Sequence, residues 1–147
     1  MEYRIANLND LDLLAEWDHQ LIQDQAHRNP LTVSQLRDRM QEWISADNSA
    51  VIFSQNGEPV AYALFREQER EIYLRQLFVK RGSRNRCIGR EAIRLLRDDI
   101  WPRSKRLTVD VLSHNTRGIA FWHSVGFKDY CLTMEITPST DCQRQTT

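Results

Sequence analysis

Between Val79 and Arg90 the chain reads Val-Lys-Arg-Gly-Ser-Arg-Asn-Arg-Cys-Ile-Gly-Arg, a basic loop between an apolar, strand-like stretch and a helix-like one. Anion binding is the chemistry that suits it. The first N–H groups of a helix have no intrahelical acceptors and point along the axis, so phosphate is their natural occupant. Charge-assisted hydrogen bonds of this kind are worth roughly 1.5–3 kcal/mol each, and three or four would hold a pyrophosphate. Arg84 and Arg86 can add side-chain charge. Spacing excludes two common phosphate loops, because neither a Gly-Lys-Ser/Thr loop nor Gly-x-Gly-x-x-Gly can be built on Gly82 and Gly89. What remains is Arg-x-x-(small)-x-Gly, filled by Arg84, Cys87 and Gly89. An ordinary basic loop before a surface helix would look the same.

The other reactive side chains are scattered. Cys87, Cys131 and Cys142 form no Cys-x-x-Cys pair, and His19, His27, His114 and His123 stand at no ligand spacing, so reduced thiols and no metal are expected. At 147 residues, 41% hydrophobic and 27% charged, the chain suits one domain with its own core. Lys and Arg (20) balance Asp and Glu (20), which argues against a nucleic-acid or anionic-membrane partner. The local cluster Lys80, Arg81, Arg84 and Arg86 suits a small polyanion instead. No stretch approaches the ~20 apolar residues of a membrane span. The start, Met1-Glu2-Tyr3-Arg4, lacks signal-peptide character, so the cytoplasm is the expected location.

The elements that must position the loop follow from periodicity. Tyr3 to Ala6 is strand-like. A helix capped by Asn9 or Asp10 carries Leu11, Leu14, Trp17 and Leu21, and a second, opening near Thr32 or Ser34, carries Val33, Leu36, Met40 and Trp43. Ala50 to Ser54 and Pro59 to Arg66 make a hairpin about Asn56-Gly57, a pair that accepts the positive φ of a tight turn. The strand Ile72 to Val79 feeds the loop. A helix from Ile88 carries Ala92, Leu95 and Leu96 and ends before Trp101-Pro102. Arg106 to Leu112 alternates as a strand, Asn115 to Val125 is a helix closed by Gly126, and Phe127 to Ile136 is a last strand. The domain is residues 1–137, and the polar residues 138–147 read as a disordered tail.

The loop resembles the acyl-CoA signature Arg/Gln-x-x-Gly-x-Gly/Ala of the GCN5-related N-acetyltransferases (GNAT family), and the order of elements is theirs from about residue 3 to 136. A second motif agrees: Asn115-x-x-Gly118-Ile119-Ala120-Phe121-Trp122-His123-Ser124-Val125-Gly126-Phe127 resembles the family's Asn-x-x-Ala-x-x-Phe/Leu-Tyr-x-x-x-Gly-Phe. The resemblance implies an α/β (α+β) single-domain fold. Its central sheet is mixed and mostly antiparallel, flanked by about four helices, and a splayed parallel strand pair forms a cleft for acyl-CoA. It implies that Leu77, Phe78 and Val79 offer main-chain groups to the pantetheine, and that Arg84, Asn85, Arg86, Cys87, Ile88, Gly89 and Arg90 cradle the pyrophosphate. Asn115, Phe121 and Trp122 would line the pantetheine arm. Asn115 is also a good helix N-cap, and Trp122 also a good core residue. Cys87 stands where the family has glycine, so its β-carbon is expected to crowd the phosphates.

The implied reaction is attack of an amine on a thioester carbonyl, whose oxyanion needs a donor such as a backbone N–H near Phe78 or Val79. An amine with a pKa of about 10.4 must first lose a proton. The family's base positions fall on Tyr73 and Gln76, neither an acid. Glu71 is the best remaining candidate and Asp110 the second. Trp122 replaces the tyrosine that protonates the leaving thiolate, and an indole does not titrate usefully. A thiol of pKa near 8.5 can leave as thiolate and collect a proton from water, or Tyr73, Tyr130 or His123 can supply one. The reading is therefore a cytoplasmic acyl-CoA-dependent N-acyltransferase, with acetyl-CoA as donor and a small-molecule or peptide amine as acceptor, acting by direct transfer. The alternative is a non-catalytic acyl-CoA-binding or regulatory module. Self-association into a homodimer is left open.

Overall fold

The computed structural model describes residues 1–139. In chain order the elements are β1 (Glu2–Ile5), α1 (Leu11–Asp24), α2 (Val33–Ser45), β2 (Asn48–Gln55), β3 (Glu58–Glu67), β4 (Glu71–Val79), α3 (Ile88–Leu95), β5 (Arg106–Val109) and α4 (Thr116–Ser124). The strands form one sheet in sequence order, antiparallel except for the parallel pair β4 and β5. This is the mixed, mostly antiparallel architecture expected.

Period-two alternation in β2 and β3 sorts the core onto two faces. Val51, Phe53, Ala61, Ala63 and Phe65 pack with Ile88, Ala92, Ile93 and Leu96 of the α3 side. Ala50, Ile52, Tyr62 and Leu64 pack with Leu11, Leu14, Trp17 and Met40 of α1 and α2. Trp17, Tyr62 and Phe78 form an aromatic trio there, with centroids 5.4–6.1 Å apart.

Local chemistry sets the element ends. Asn7, not Asn9 or Asp10, opens the first helical segment: its side chain accepts from Asn9 N–H while Asp10 accepts from Asn7 N–H, a capping box over a short 3-10 turn that precedes α1. Thr32 and Gln35 make a second capping box on α2. After α3 the chain widens into one π-helical stretch, Leu96–Ile100, which puts Trp101 edge-on to Phe65 in the core at 5.4 Å.

Three sequence expectations need correction. β2 begins at Asn48 rather than Ala50. β5 stops at Val109 rather than Leu112, because its ladder with β4 ends there. Phe127 to Ile136 alternates as a strand should, yet is not one: no described strand pairs with it, and every residue from Lys128 to Ile136 is exposed. The tail expected from residue 138 falls, from residue 140 on, outside the described residues.

On the α1/α2 side a buried polar chain crosses the packing. Asp18, fully buried, accepts from Arg39 Nη2 (3.0 Å) and Gln76 Nε2 (2.8 Å), and Gln76 Oε1 accepts from the Tyr62 hydroxyl (2.8 Å). Burial lifts the Asp18 carboxyl above the ordinary aspartate range, against the pull of Arg39 and Gln76. Asp18→Ala leaves both donors unpaired and is expected to cost about 1–3 kcal/mol in urea unfolding. Asp18→Asn should cost less, because burial already favours the neutral form.

Candidate active site

The cleft originates in a register change on β4. Leu64 pairs with Gln76 but Phe65 with Leu74, so Arg75 is an extra residue, a β-bulge. The bulge resets the pleat. Ile72 and Leu74 before it and Leu77 and Val79 after it all join the α3-side core, while Gln76 and Phe78 turn to the α1/α2 side. At the same level β4 and β5 part, since their last rung is Leu74 with Val109 while β4 continues to Val79.

Hydrogen-bond parity says which backbone groups face the opening. Lys80 N–H donates to Val60 carbonyl (2.8 Å). Opposed residues in an antiparallel pair alternate between exchanging both bonds and neither, so Phe78 and Gln76 bond toward β3, and Leu77 and Val79 point away from it. The cleft edge is thus built from the main-chain groups of Leu77 and Val79. Phe78, of the three expected there, gives its backbone to β3 and its side chain to the core, 1% exposed.

Below the parting, Tyr73 pairs with Thr108 and its hydroxyl donates to Asp110 Oδ2 (3.0 Å). Partial burial and the Asp110 carboxylate push the Tyr73 hydroxyl above the ordinary tyrosine range, despite Arg75 and Arg66. It stays protonated at neutral pH. Glu71 lies two rungs further from the parting than Tyr73 and pairs with Arg106 (2.9 Å). The structure thus brings Tyr73 and Asp110 together and leaves Glu71 apart. Tyr130 and His123 are engaged elsewhere, over Arg106 and with Asp129.

The loop after β4 is strained and braced. Asn85 (φ 64°) and Cys87 (φ 61°) both adopt the left-handed conformation, and Cys87 is the N-cap of α3 rather than part of its first turn. The left-handed φ is by itself a reason for glycine at this position, beside any crowding by the β-carbon. Arg84 is not a free cation. Its Nε donates to Val79 carbonyl (2.9 Å) and its Nη2 to Asp24 (2.6 Å), and Arg81 meets Asp24 as well (2.9 Å). Asp24, at the end of α1, was invisible as a site residue because 60 positions separate it from Arg84. Arg90 reaches Ser124 carbonyl at 3.3 Å. Arg86 is exposed and makes no hydrogen bond or ion pair with another described residue.

Close packing joins this loop to α4. Gly89 lies so near Phe121 that a β-carbon would stand 3.1 Å from its ring, and Ile88 beside it is buried. Asn115 caps α4 by accepting from Gly118 N–H (3.0 Å), and Gly118 leaves the room this needs, since a β-carbon there would stand 2.5 Å from the Asn115 amide. Trp122 is held edge-on between Phe121 (4.9 Å) and Phe127 (5.3 Å) against the α3-side core. Among the described residues no group of His, Cys, Asp or Glu could hold a metal, and no helix is long and apolar enough to cross a membrane.

Cys87→Gly relieves a left-handed residue and should stabilise the fold by about 1 kcal/mol, raising Tm by roughly 3–5 °C in calorimetry. Partial burial alone would lift the Asp24 carboxyl, but hydrogen bonds from Arg81 and Arg84 outweigh it and hold the carboxyl below the ordinary range. The stability it contributes is present above the unfolded pKa of about 4 and fades as pH falls through the lower native value. The Tm difference between wild type and Asp24→Asn should therefore be open at about pH 6 and closed at about pH 2.

No curated protein sequence matches the chain. Among solved structures, a possible acetyltransferase from Clostridium difficile 630 superposes with a TM-score of 0.76 at 15% identity, over 94% of this chain and 97% of that one. An aminoglycoside 6'-N-acetyltransferase from Acinetobacter haemolyticus gives 0.74 at 13%, over 96% and 100%. An aminoglycoside N-acetyltransferase in complex with CoA gives 0.68 at 15%, over 94% and 99%. These likenesses are of fold. The model of the acetyltransferase (GNAT) family matches residues 12–127, and with the parted parallel strands and the loop between β4 and α3 in place, the chain belongs to that family.

Proposed function

We propose that the protein is an acyl-CoA-dependent N-acyltransferase that passes an acyl group, acetyl in the simplest case, directly from the thioester to a primary amine. The observation that carries this is the Tyr73–Asp110 pair beside the parting of β4 and β5. Asp110 Oδ2 is held by the Tyr73 hydroxyl, and Oδ1 makes no hydrogen bond with a described residue. A carboxylate so oriented takes the proton of the attacking amine. Leu77 and Val79 offer N–H groups along the cleft edge, and one of them stabilises the oxyanion while the other pairs with the pantetheine as an added strand would.

The pyrophosphate lies against the first N–H groups of α3, from Ile88 to Arg90, with the exposed Arg86 as the added cation and Arg84 as the brace that holds the loop. Asn115 serves both the helix cap and, through Nδ2, a pantetheine carbonyl. Phe121 lines the arm, and Asn85 and Cys87 supply the loop's left-handed turns. Trp122 packs rather than transfers protons, so the thiolate leaves without it. That same packing of Trp122 favours a second reading, an acyl-CoA-binding module without turnover.

Acetyl-CoA should raise Tm in a dose-dependent way. Arg86→Ala should weaken its binding about tenfold, a loss of ~1.4 kcal/mol, in calorimetric titration. CoA release across a panel of amines, amino acids and peptides separates the two readings. Asp110→Asn should lower kcat about 100-fold or more with the acetyl-CoA Kd unchanged, and Tyr73→Phe should lower it less. Binding without CoA release from any amine would leave the module reading.

A further inference from the structure

Arg75, the residue that the bulge adds to β4, has no carboxylate partner among the described residues. Its guanidinium carbon lies 4.7 Å from the centre of the Trp43 ring and 5.2 Å from that of Tyr73, and its Nε donates to Asn48 Oδ1 at 3.3 Å. Its two Nη groups make no hydrogen bond or ion pair with another described residue. The neighbouring cations are already engaged. Arg39, 4.3 Å from the same Trp43 ring, is bonded to the buried Asp18, and Arg66, opposite Tyr73 in the ladder, lies 3.8 Å from Asp47. Two guanidinium groups on one indole repel each other, and an anion beside Arg75 offsets that repulsion. An arginine held against two aromatic rings with its outer N–H groups unused is preorganised for a carboxylate, which it grips through two parallel hydrogen bonds.

Its position ties it to the transfer site. The last rung between β4 and β5 joins Leu74 to Val109, so Arg75 is the first residue of β4 past the parting. Arg75 and Asp110 lie at the two ends of one side chain, the guanidinium over the Tyr73 ring and the carboxylate on the Tyr73 hydroxyl (3.0 Å). A cation fit for an acid and a carboxylate fit for an amine are thus set about one tyrosine side chain apart. That span selects among amines. An acid and an amine carried on one carbon bridge it once each has its own hydrogen bond, whereas the amine and the terminal carboxylate of an extended peptide stand further apart. A polyamine would meet the unshielded charge of Arg75, with Arg39 and Arg66 close by, and be repelled.

We infer that the amine taken by this site is a free α-amino acid, its carboxylate held by Arg75 and its ammonium by Asp110. The inference rests on the proposed transfer reaction and adds the class of its acceptor. Each charge of the zwitterion meets its opposite. Trp43 and Tyr73, both half-buried, screen the Arg75 end from part of the water, which strengthens the pair there. Transfer forms the C–N bond of an N-acyl amino acid and breaks the C–S bond of the thioester. Of the two protons that the ammonium gives up, one passes to Asp110 and the other reaches the leaving thiolate through water. The rival role for Arg75 is structural, a clamp between Trp43 of α2 and Asn48 of β2, and it makes the acid of the acceptor irrelevant.

The test sets each common amino acid beside its amide, which keeps the amine and removes the charge of the acid. With the protein saturated in acetyl-CoA, at least one free acid should release CoA with a kcat/KM about 100-fold above that of its amide. Titrated calorimetrically into the CoA-loaded protein, that acid should bind about 100-fold more tightly than its amide. Arg75→Gln, which keeps an N–H donor for Asn48, should erase both preferences, with the loss falling on KM. Arg75→Lys, a point charge without the planar fork, should restore part of them. Binding is read apart from turnover, so an acid that binds through Arg75 without releasing CoA upholds the site and overturns the transfer reaction instead. An amide that binds and reacts as well as its acid overturns the proposal. So does the failure of every free acid to bind, or an Arg75→Gln protein whose Tm falls while the preference for acid over amide stays.

Discussion

The parting of β4 from β5 is the constraint on which the rest of the molecule depends. Parallel pairing lasts from Glu71–Arg106 to Leu74–Val109, and then one strand continues without the other. A strand edge inside a sheet leaves N–H and C=O groups without partners, a state that folded proteins avoid unless water or a ligand supplies the bonds. The bulge at Arg75 belongs to the same construction. Without the extra residue, the pleat that buries Ile72 and Leu74 on the α3 side would carry Gln76 and Phe78 there too, and Leu77 and Val79 would leave that core. Gln76 would lose Asp18, and the polar chain that fixes α1 to β4 would come apart.

The loop below the cleft is an ordered structure held under strain. Two non-glycine residues in left-handed conformation cost on the order of 1–2 kcal/mol each, so the surroundings must over-determine them. Asp24 does part of this by tying Arg81 and Arg84 to the end of α1, and Arg84 caps the outward carbonyl of Val79. Gly89 does another part, because a β-carbon there would press on the Phe121 ring and push the start of α3 off it by a few tenths of an ångström. Under the proposed function, a loop fixed at both ends would present its N–H groups to an anion without having to reorganise.

How much of this was legible follows from the range over which each interaction acts. The helices and the hairpin came from periodicity and from Asn56-Gly57, which act over a few residues. The loop and the Asn115 motif were readable because their geometry is also local. Asp24 bracing Arg84, Asp18 bonding Gln76 and Asp110 meeting Tyr73 join residues 37 to 60 apart, and no spacing rule reaches that far. Glu71 drew attention because it shares a strand face with Tyr73, but Arg106, directly across the ladder, takes up its charge. The bulge at Arg75 falls where the polar pair Arg75-Gln76 interrupts the apolar residues of β4, but that interruption alone does not distinguish a bulge from a solvent-facing stretch.

The last helix shows how packing and chemistry compete for one position. Trp122 stands where the related motif has a tyrosine, and its indole is enclosed edge-on by Phe121 and Phe127. Phe121 in turn packs on Gly89, so the aromatic clamp that fixes the chain at Phe127 also sets the depth of the loop between β4 and α3. A tyrosine there would fill less of the clamp and would need a partner for its hydroxyl. The hydroxyl near the parting strands is instead that of Tyr73, held by Asp110 on the opposite wall. Under the proposed function, proton handling and packing, which one tyrosine could combine, would be divided between β4 and α4. The clamp is also where the domain's own packing stops, because past Phe127 no side chain is buried among the described residues.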